Sequence, residues 1–82
     1  MFRVYILQSQ TSGRFYVGHT ERIDSRVHEH NSGQTKSTRN KGPWVLVHQE
    51  GFDTRAEAVK RENEIKRWKS HRTIQELIDG NR

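Results

Sequence analysis

The chain has 82 residues, 29% of them hydrophobic, a length that supports one domain with a thin core, taken here as residues 1–82. It has no cysteine, which excludes a disulfide framework, a thiolate zinc site and thiol catalysis, and fits a reducing, cytoplasmic setting. Fifteen Lys and Arg against ten Asp and Glu give a net charge of +5, which suits a polyanion partner, and no apolar run is long enough for a membrane span or a signal-peptide core.

Residues 2–8 (FRVYILQ) predict a strand, with Phe2, Val4 and Ile6 on one face and Arg3, Tyr5 and Leu7 on the other. SQTSG (9–13) is turn chemistry, and RFYVGH (14–19) predicts the return strand of a β-hairpin. An even-numbered loop centred between Gln10 and Thr11 places Tyr5 directly opposite Tyr16, and Arg3 opposite Gly18. Residues 21–31 predict a helix entered at Thr20 and closed by Asn31-Ser32-Gly33. Its apolar stripe, Ile23 and Val27, is interrupted by Arg26 and His30 on the same face.

Residues 34–43 form a basic, polar loop without periodicity, ending in Gly-Pro. A third strand is expected over 44–50, ended by Gly51. Thr54-Arg55-Ala56-Glu57 matches a capping box, in which the Thr hydroxyl and the Glu carboxylate each satisfy an early backbone N–H. The helix it opens runs to Trp68 or Ser70, with Ala58, Val59, Ile65 and Trp68 on its buried side and Glu62 among them. A short helix over 71–79 carries Ile74, Leu77 and Ile78 and stops at Gly80. The order β-β-α-β-α-α implies an α+β fold: a small, three-stranded, mainly antiparallel sheet flanked by helices.

Several chemistries are absent. His28 and His30 point to different faces of a helix and make a poor metal pair. No glycine loop of the P-loop or dinucleotide type occurs. What remains is polar groups on core-facing positions: Tyr5 and Tyr16 on the hairpin, Arg26 and His30 on one helix, Glu62 on another. Each has an ordinary explanation alone: strand packing, a snorkelling arginine, a helix-terminus dipole contact, an i,i+4 pair of Glu62 with Lys66. Together they suggest convergence on a cleft, because an unpartnered buried charge costs several kcal/mol.

The chain resembles the GIY-YIG endonuclease superfamily, in particular its small single-domain members and the N-terminal nuclease domain of excision-repair nucleases. Arg3-Val4-Tyr5 stands where the family has Gly-Ile-Tyr, and Tyr16-Val17-Gly18 matches the second motif. Arg26 and Glu29-His30-Asn31-Ser32-Gly33 continue the match, as do Thr38-Arg39, Gly42-Pro43-Trp44, Ala56-Glu57-Ala58 to Arg61-Glu62, and Ile65 to Lys69.

The resemblance implies a metal-dependent endonuclease acting on DNA, in branched or damaged form, with either low intrinsic sequence specificity or targeting by a partner protein. In that family role Tyr5 and Tyr16 flank the scissile phosphate and one of them helps activate water. Arg26 binds phosphate, His30 hydrogen-bonds near a tyrosine or the phosphate, and Glu62 holds one Mg²⁺ or Mn²⁺. Gly18 permits close approach. Lys36, Arg39 and Lys41 of the basic loop, with Lys66 and Lys69, are expected to contact the nucleic-acid backbone. A tyrosine base requires nearby positive charge, which Arg26, His30 and the metal would supply. Two other readings compete: a non-catalytic nucleic-acid-binding module that keeps the fold, and a protein-interaction domain.

Overall fold

The computed structural model describes residues 1–33 and 41–80. Its elements are β1 (Phe2–Ser9), β2 (Phe15–Thr20), α1 (Ile23–Asn31), β3 (Trp44–Phe52), α2 (Arg55–Arg67) and α3 (His71–Ile78), in the expected β-β-α-β-α-α order. The three strands form one antiparallel sheet in the order β2-β1-β3, so β1 is central and β2 is an edge.

Strand alternation sorts the core into two layers. Val4, Ile6 and Val17 pack with Ala58, Ile65 and Leu77, which puts α2 and α3 on one face. Tyr5, Leu7 and Trp44 pack with Tyr16, Ile23 and Val27, which puts α1 on the other. Burying both faces explains why β1 reads as a near-continuous apolar run, with Val4 through Leu7 at most 1% exposed.

The hairpin register differs from the expected one. Tyr5 pairs with Gly18, Leu7 with Tyr16, and Arg3 with Thr20. The turn centre lies one residue later because Ser9 organises it. The Ser9 hydroxyl oxygen accepts the backbone N–H groups of Thr11 and Ser12, and Gly13 closes the turn at φ +77°. Moving the centre by one residue moves the pairing by two. The tyrosines therefore stay on one face, as diagonal rather than direct neighbours.

Two boundaries also differ. α1 begins at Ile23, because the Thr20 hydroxyl accepts the Arg22 N–H and holds residues 20–22 in a turn. β3 continues through Gly51, which pairs with Arg3, to Phe52 opposite Phe2. β3 also carries a bulge where the pairing passes from Ile6↔His48 to Leu7↔Leu46, leaving Val47 as the extra residue. The bulge puts Val47 against α2 and α3 and Leu46 against α1.

α2 opens at Thr54, whose hydroxyl accepts the Glu57 N–H as expected. The second half of the box differs: the Thr54 hydroxyl donates to the Glu57 carboxylate, 2.9 Å away. α3 is capped by Ser70, which accepts the Thr73 N–H.

Candidate active site

Tyr5 lies at the centre of the α1 face and is 1% exposed. Its ring reaches across the edge strand to Gly18, where a Cβ would stand 2.6 Å from the phenolic oxygen. The close approach that Gly18 permits is thus that of the Tyr5 phenol. The Arg26 Nε–H donates to the same oxygen at 3.3 Å, and His30 Nε2 lies 3.0 Å from it. Arg26 can only donate, so the phenolic oxygen accepts from it, while the sense of the Tyr5–His30 bond follows the tautomer of His30.

Tyr16 completes this face. Its ring centroid lies 4.6 Å from that of His30 and 6.3 Å from that of Tyr5. Unlike Tyr5 it is only half-buried.

The electrostatics follow from burial. Removal from water pushes the Tyr5 phenol above its ordinary value of 10.0, more than the Arg26 hydrogen bond pulls it down. Burial and then the Arg26 charge hold His30 below 6.5, so at neutral pH its ring is uncharged. With the His30 ring uncharged, the positive charge beside the Tyr5 phenol is that of Arg26, not of His30. The Tyr5 hydrogen bond, and after it the bond to Glu29, keep Arg26 charged, with Nη1 3.1 Å from the Glu29 carboxylate.

Glu62 lies across the sheet. α2 packs on the face opposite α1, so the carboxylate does not join the Tyr5–Arg26–His30 cluster by direct contact. It points inward nonetheless, with its side chain 12% exposed. Oε1 accepts from His19 Nδ1 and Oε2 from Lys66 Nζ, each at 2.5 Å. Burial pushes this carboxyl up, but the bonds from Lys66 and His19 outweigh it and hold it ionised. Its charge is felt at Tyr5, where it adds to the upward shift.

The two halves meet around the edge strand. Gly18 faces Tyr5, and the next residue, His19, faces Glu62. A cavity of about 340 Å³ wraps this edge where β2 ends, and Arg26, Glu29 and Ser25 line it together with His19, Arg22 and Arg55. Of the remaining expected residues, Lys41 sits at the opposite, turn end of the hairpin, beside Thr11, Ser12 and Arg14. Lys66 and Lys69 share a shallow groove with Arg14, Phe15 and His71. Lys36 and Arg39 lie outside the described residues.

Three site residues were missed by the sequence reading. His19 continues the Phe15, Val17 alternation and is a polar group on an apolar face, the same signal that marked Glu62. Arg22 and Arg55 line the cavity from helix starts, where sequence pattern carries no sign of a shared space.

A cation site can be tested against these donors. Among the described residues no group of three or more His, Cys, Asp or Glu side chains could hold a metal ion. Glu62 is an ionised carboxylate beside a cavity bordered by Arg22, Arg26 and Arg55 with Glu21 and Glu29, and it would hold a hard divalent cation, which would supply charge neutralisation. Lys66, bonded to the other Glu62 oxygen, is half-exposed.

The family model described as the GIY-YIG catalytic domain matches residues 1–75, and the chain belongs to that family. Within it, the similarity runs to the UPF0213 proteins. A UPF0213 protein of Staphylococcus saprophyticus is 38% identical over 78 residues, covering 94% of each chain. One from Haloquadratum walsbyi is 41% identical over 78 residues, covering 94% of this chain and 86% of its own. The solution NMR structure of a UPF0213 protein from Bacillus halodurans aligns with a TM-score of 0.60 at 37% identity, over 96% of this chain and 84% of that one.

Proposed function

We propose that the protein is a divalent-cation-dependent endonuclease that hydrolyses phosphodiester bonds in DNA. The observation that carries this reading is the placement of Arg26: its Nε is fixed by a buried tyrosine while its side chain lines an arginine-bordered cavity. A phosphate entering the cavity meets a guanidinium already oriented, which is the preorganised charge that phosphoryl transfer needs.

In this reading a water oxygen forms a bond to phosphorus and the bond to the leaving oxygen breaks, giving a phosphate monoester and a hydroxyl. Arg26 neutralises charge on the phosphoryl oxygens. Tyr16, the half-buried phenol, faces the substrate. Tyr5 holds Arg26 through its hydroxyl, and Tyr16 acts as the acid–base group: it takes up the proton that the attacking water loses, and the leaving oxygen takes one from solvent. Glu62 would hold Mg²⁺ or Mn²⁺ after Lys66 moves aside, and the cation would supply further charge neutralisation. Arg22, Arg55, Lys66 and Lys69 contact backbone phosphates, which fix position without reading sequence. Branched or damaged DNA, a targeting partner and a cytoplasmic setting remain part of this proposal; the absence of cysteine supports the last.

The test is cleavage of duplex, single-stranded and branched DNA with Mg²⁺ or Mn²⁺, by wild type and Glu62→Ala. Cation-dependent cleavage that the substitution abolishes is expected. Cleavage indifferent to chelator and to Glu62→Ala would refute the mechanism.

A second reading, a binding module without catalysis, is favoured by one observation: both Glu62 oxygens are already hydrogen-bonded within the protein. Salt-sensitive DNA binding with no cleavage under any cation would select it.

A further inference from the structure

We propose that His19 is the positioning residue for the Glu62 carboxylate, fixing one oxygen so that the other is presented to the cation. This rests on the cation reading of Glu62 given above.

Three observations carry it. The His19 Nδ1 to Glu62 Oε1 contact, 2.5 Å, joins an edge strand to a helix 43 residues away in sequence. It therefore sets where the carboxylate points independently of α2's own rotamer preferences. The two oxygens are also held differently. Oε1 is held by His19, a ring on a strand whose side chain is 26% exposed. Oε2 is held by Lys66, an i,i+4 neighbour whose side chain is 51% exposed. A long lysine in water gives up a contact at little cost, whereas a ring anchored between strand and helix does not. Finally, His19 lines the cavity that Arg26 lines, so the group that aims Glu62 borders the space a phosphate would occupy.

Strand alternation makes the arrangement stiff. Gly18 and His19 are consecutive on β2, one against the Tyr5 hydroxyl and the other against Glu62. A shift of the edge strand would disturb both halves of the site together. Partners that hold a metal-ligating group in place contribute about 10–100-fold to metal affinity.

The experiment measures Mn²⁺ binding to the DNA-free protein by electron paramagnetic resonance of the free ion. It compares wild type, His19→Ala, His19→Asn and Glu62→Ala, each first shown by thermal melting to be folded. His19→Ala is expected to bind about 10–100-fold more weakly than wild type. His19→Asn places an amide N–H near the position of Nδ1 and is expected to restore most of that loss. The inference is overturned if His19→Ala binds as tightly as wild type while Glu62→Ala does not, or if His19→Asn is as weak as His19→Ala. If Glu62→Ala itself keeps wild-type affinity, the cation reading of Glu62 falls, and this inference with it.

Discussion

The two tyrosines share a face but do different work. Tyr5 is buried and its hydroxyl contacts both Arg26 and His30, so Tyr5→Phe removes a buried hydrogen-bonding group that two side chains share. Chemical denaturation is expected to show a loss of about 1–3 kcal/mol. Tyr16 is half-buried, and Tyr16→Phe is expected to leave stability within about 0.5 kcal/mol of wild type. In the same protein, cleavage should fall by about 10²–10⁴-fold, the range of a lost acid–base group. The reverse pattern, with Tyr16→Phe unfolding the protein and Tyr5→Phe leaving it intact, would exchange the roles. Gly18→Ala places a methyl group against the Tyr5 hydroxyl, with phenolic carbon Cζ 2.8 Å from the new Cβ. The ring must move, and with it the contact to Arg26. Thermal melting should register a destabilisation of about 1–3 kcal/mol, as for other overpacked sites.

Between elements, short polar ties set the spacing that packing alone leaves loose. The Asn31 side chain at the end of α1 accepts from the Trp44 N–H at 2.6 Å and donates to the Trp44 carbonyl at 3.0 Å, clamping α1 to the start of β3. Ser9 donates to the Lys41 carbonyl at 2.6 Å and anchors the chain entering β3 to the hairpin turn. On the other layer Arg61 of α2 reaches both oxygens of Glu50 on β3, and His48 joins them. Burial pushes the Glu50 carboxyl up, but the bonds from Arg61 and His48 hold it below 4.5. Arg61→Ala should therefore cost about 1.5–3 kcal/mol in denaturant unfolding, the range for a hydrogen bond to a charged group.

Alternation and helical period made the layers legible before any coordinates. Val4 and Ile6 fell on one face and Tyr5 and Leu7 on the other, and Thr54 marked the start of α2. Loop composition could not place the turn centre, because that depends on Ser9 accepting two backbone N–H groups across the turn. Nor does a helical stripe say which face of a sheet it will cover. Arg26, His30 and Glu62 all point inward as their spacing implied, yet α1 and α2 take opposite sides. Glu62 consequently reaches the site's edge through His19 rather than facing the tyrosines.

At the scale of the whole molecule, charge and acid sensitivity follow from these placements. His30 has its folded pKa depressed below 6.5, so the unfolded chain binds its proton first as pH falls. Its contribution to stability is present above about pH 6.5 and is lost as pH drops through the folded value. Glu50 and Glu62 are likewise depressed, below 4.5, and their contribution is lost only in that more acid range. Thermal midpoints measured against pH should thus begin to fall below about 6.5, and His30→Gln should flatten that first decline. Arg22, Arg26 and Arg55 border one end of β2, and Arg14, Lys66 and Lys69 gather at the other. A nucleic-acid backbone following that edge would meet cations at both ends, so DNA affinity should weaken steeply with salt.

The measurement that bears most directly on this site is single-turnover DNA cleavage, with protein in excess and Mg²⁺ or Mn²⁺ present, by wild type and Arg26→Ala. If the oriented guanidinium stabilises the transition state, wild type cleaves and Arg26→Ala is slower by about 10²–10³-fold. Equal rates for the two proteins, at matched occupancy of DNA, would contradict it.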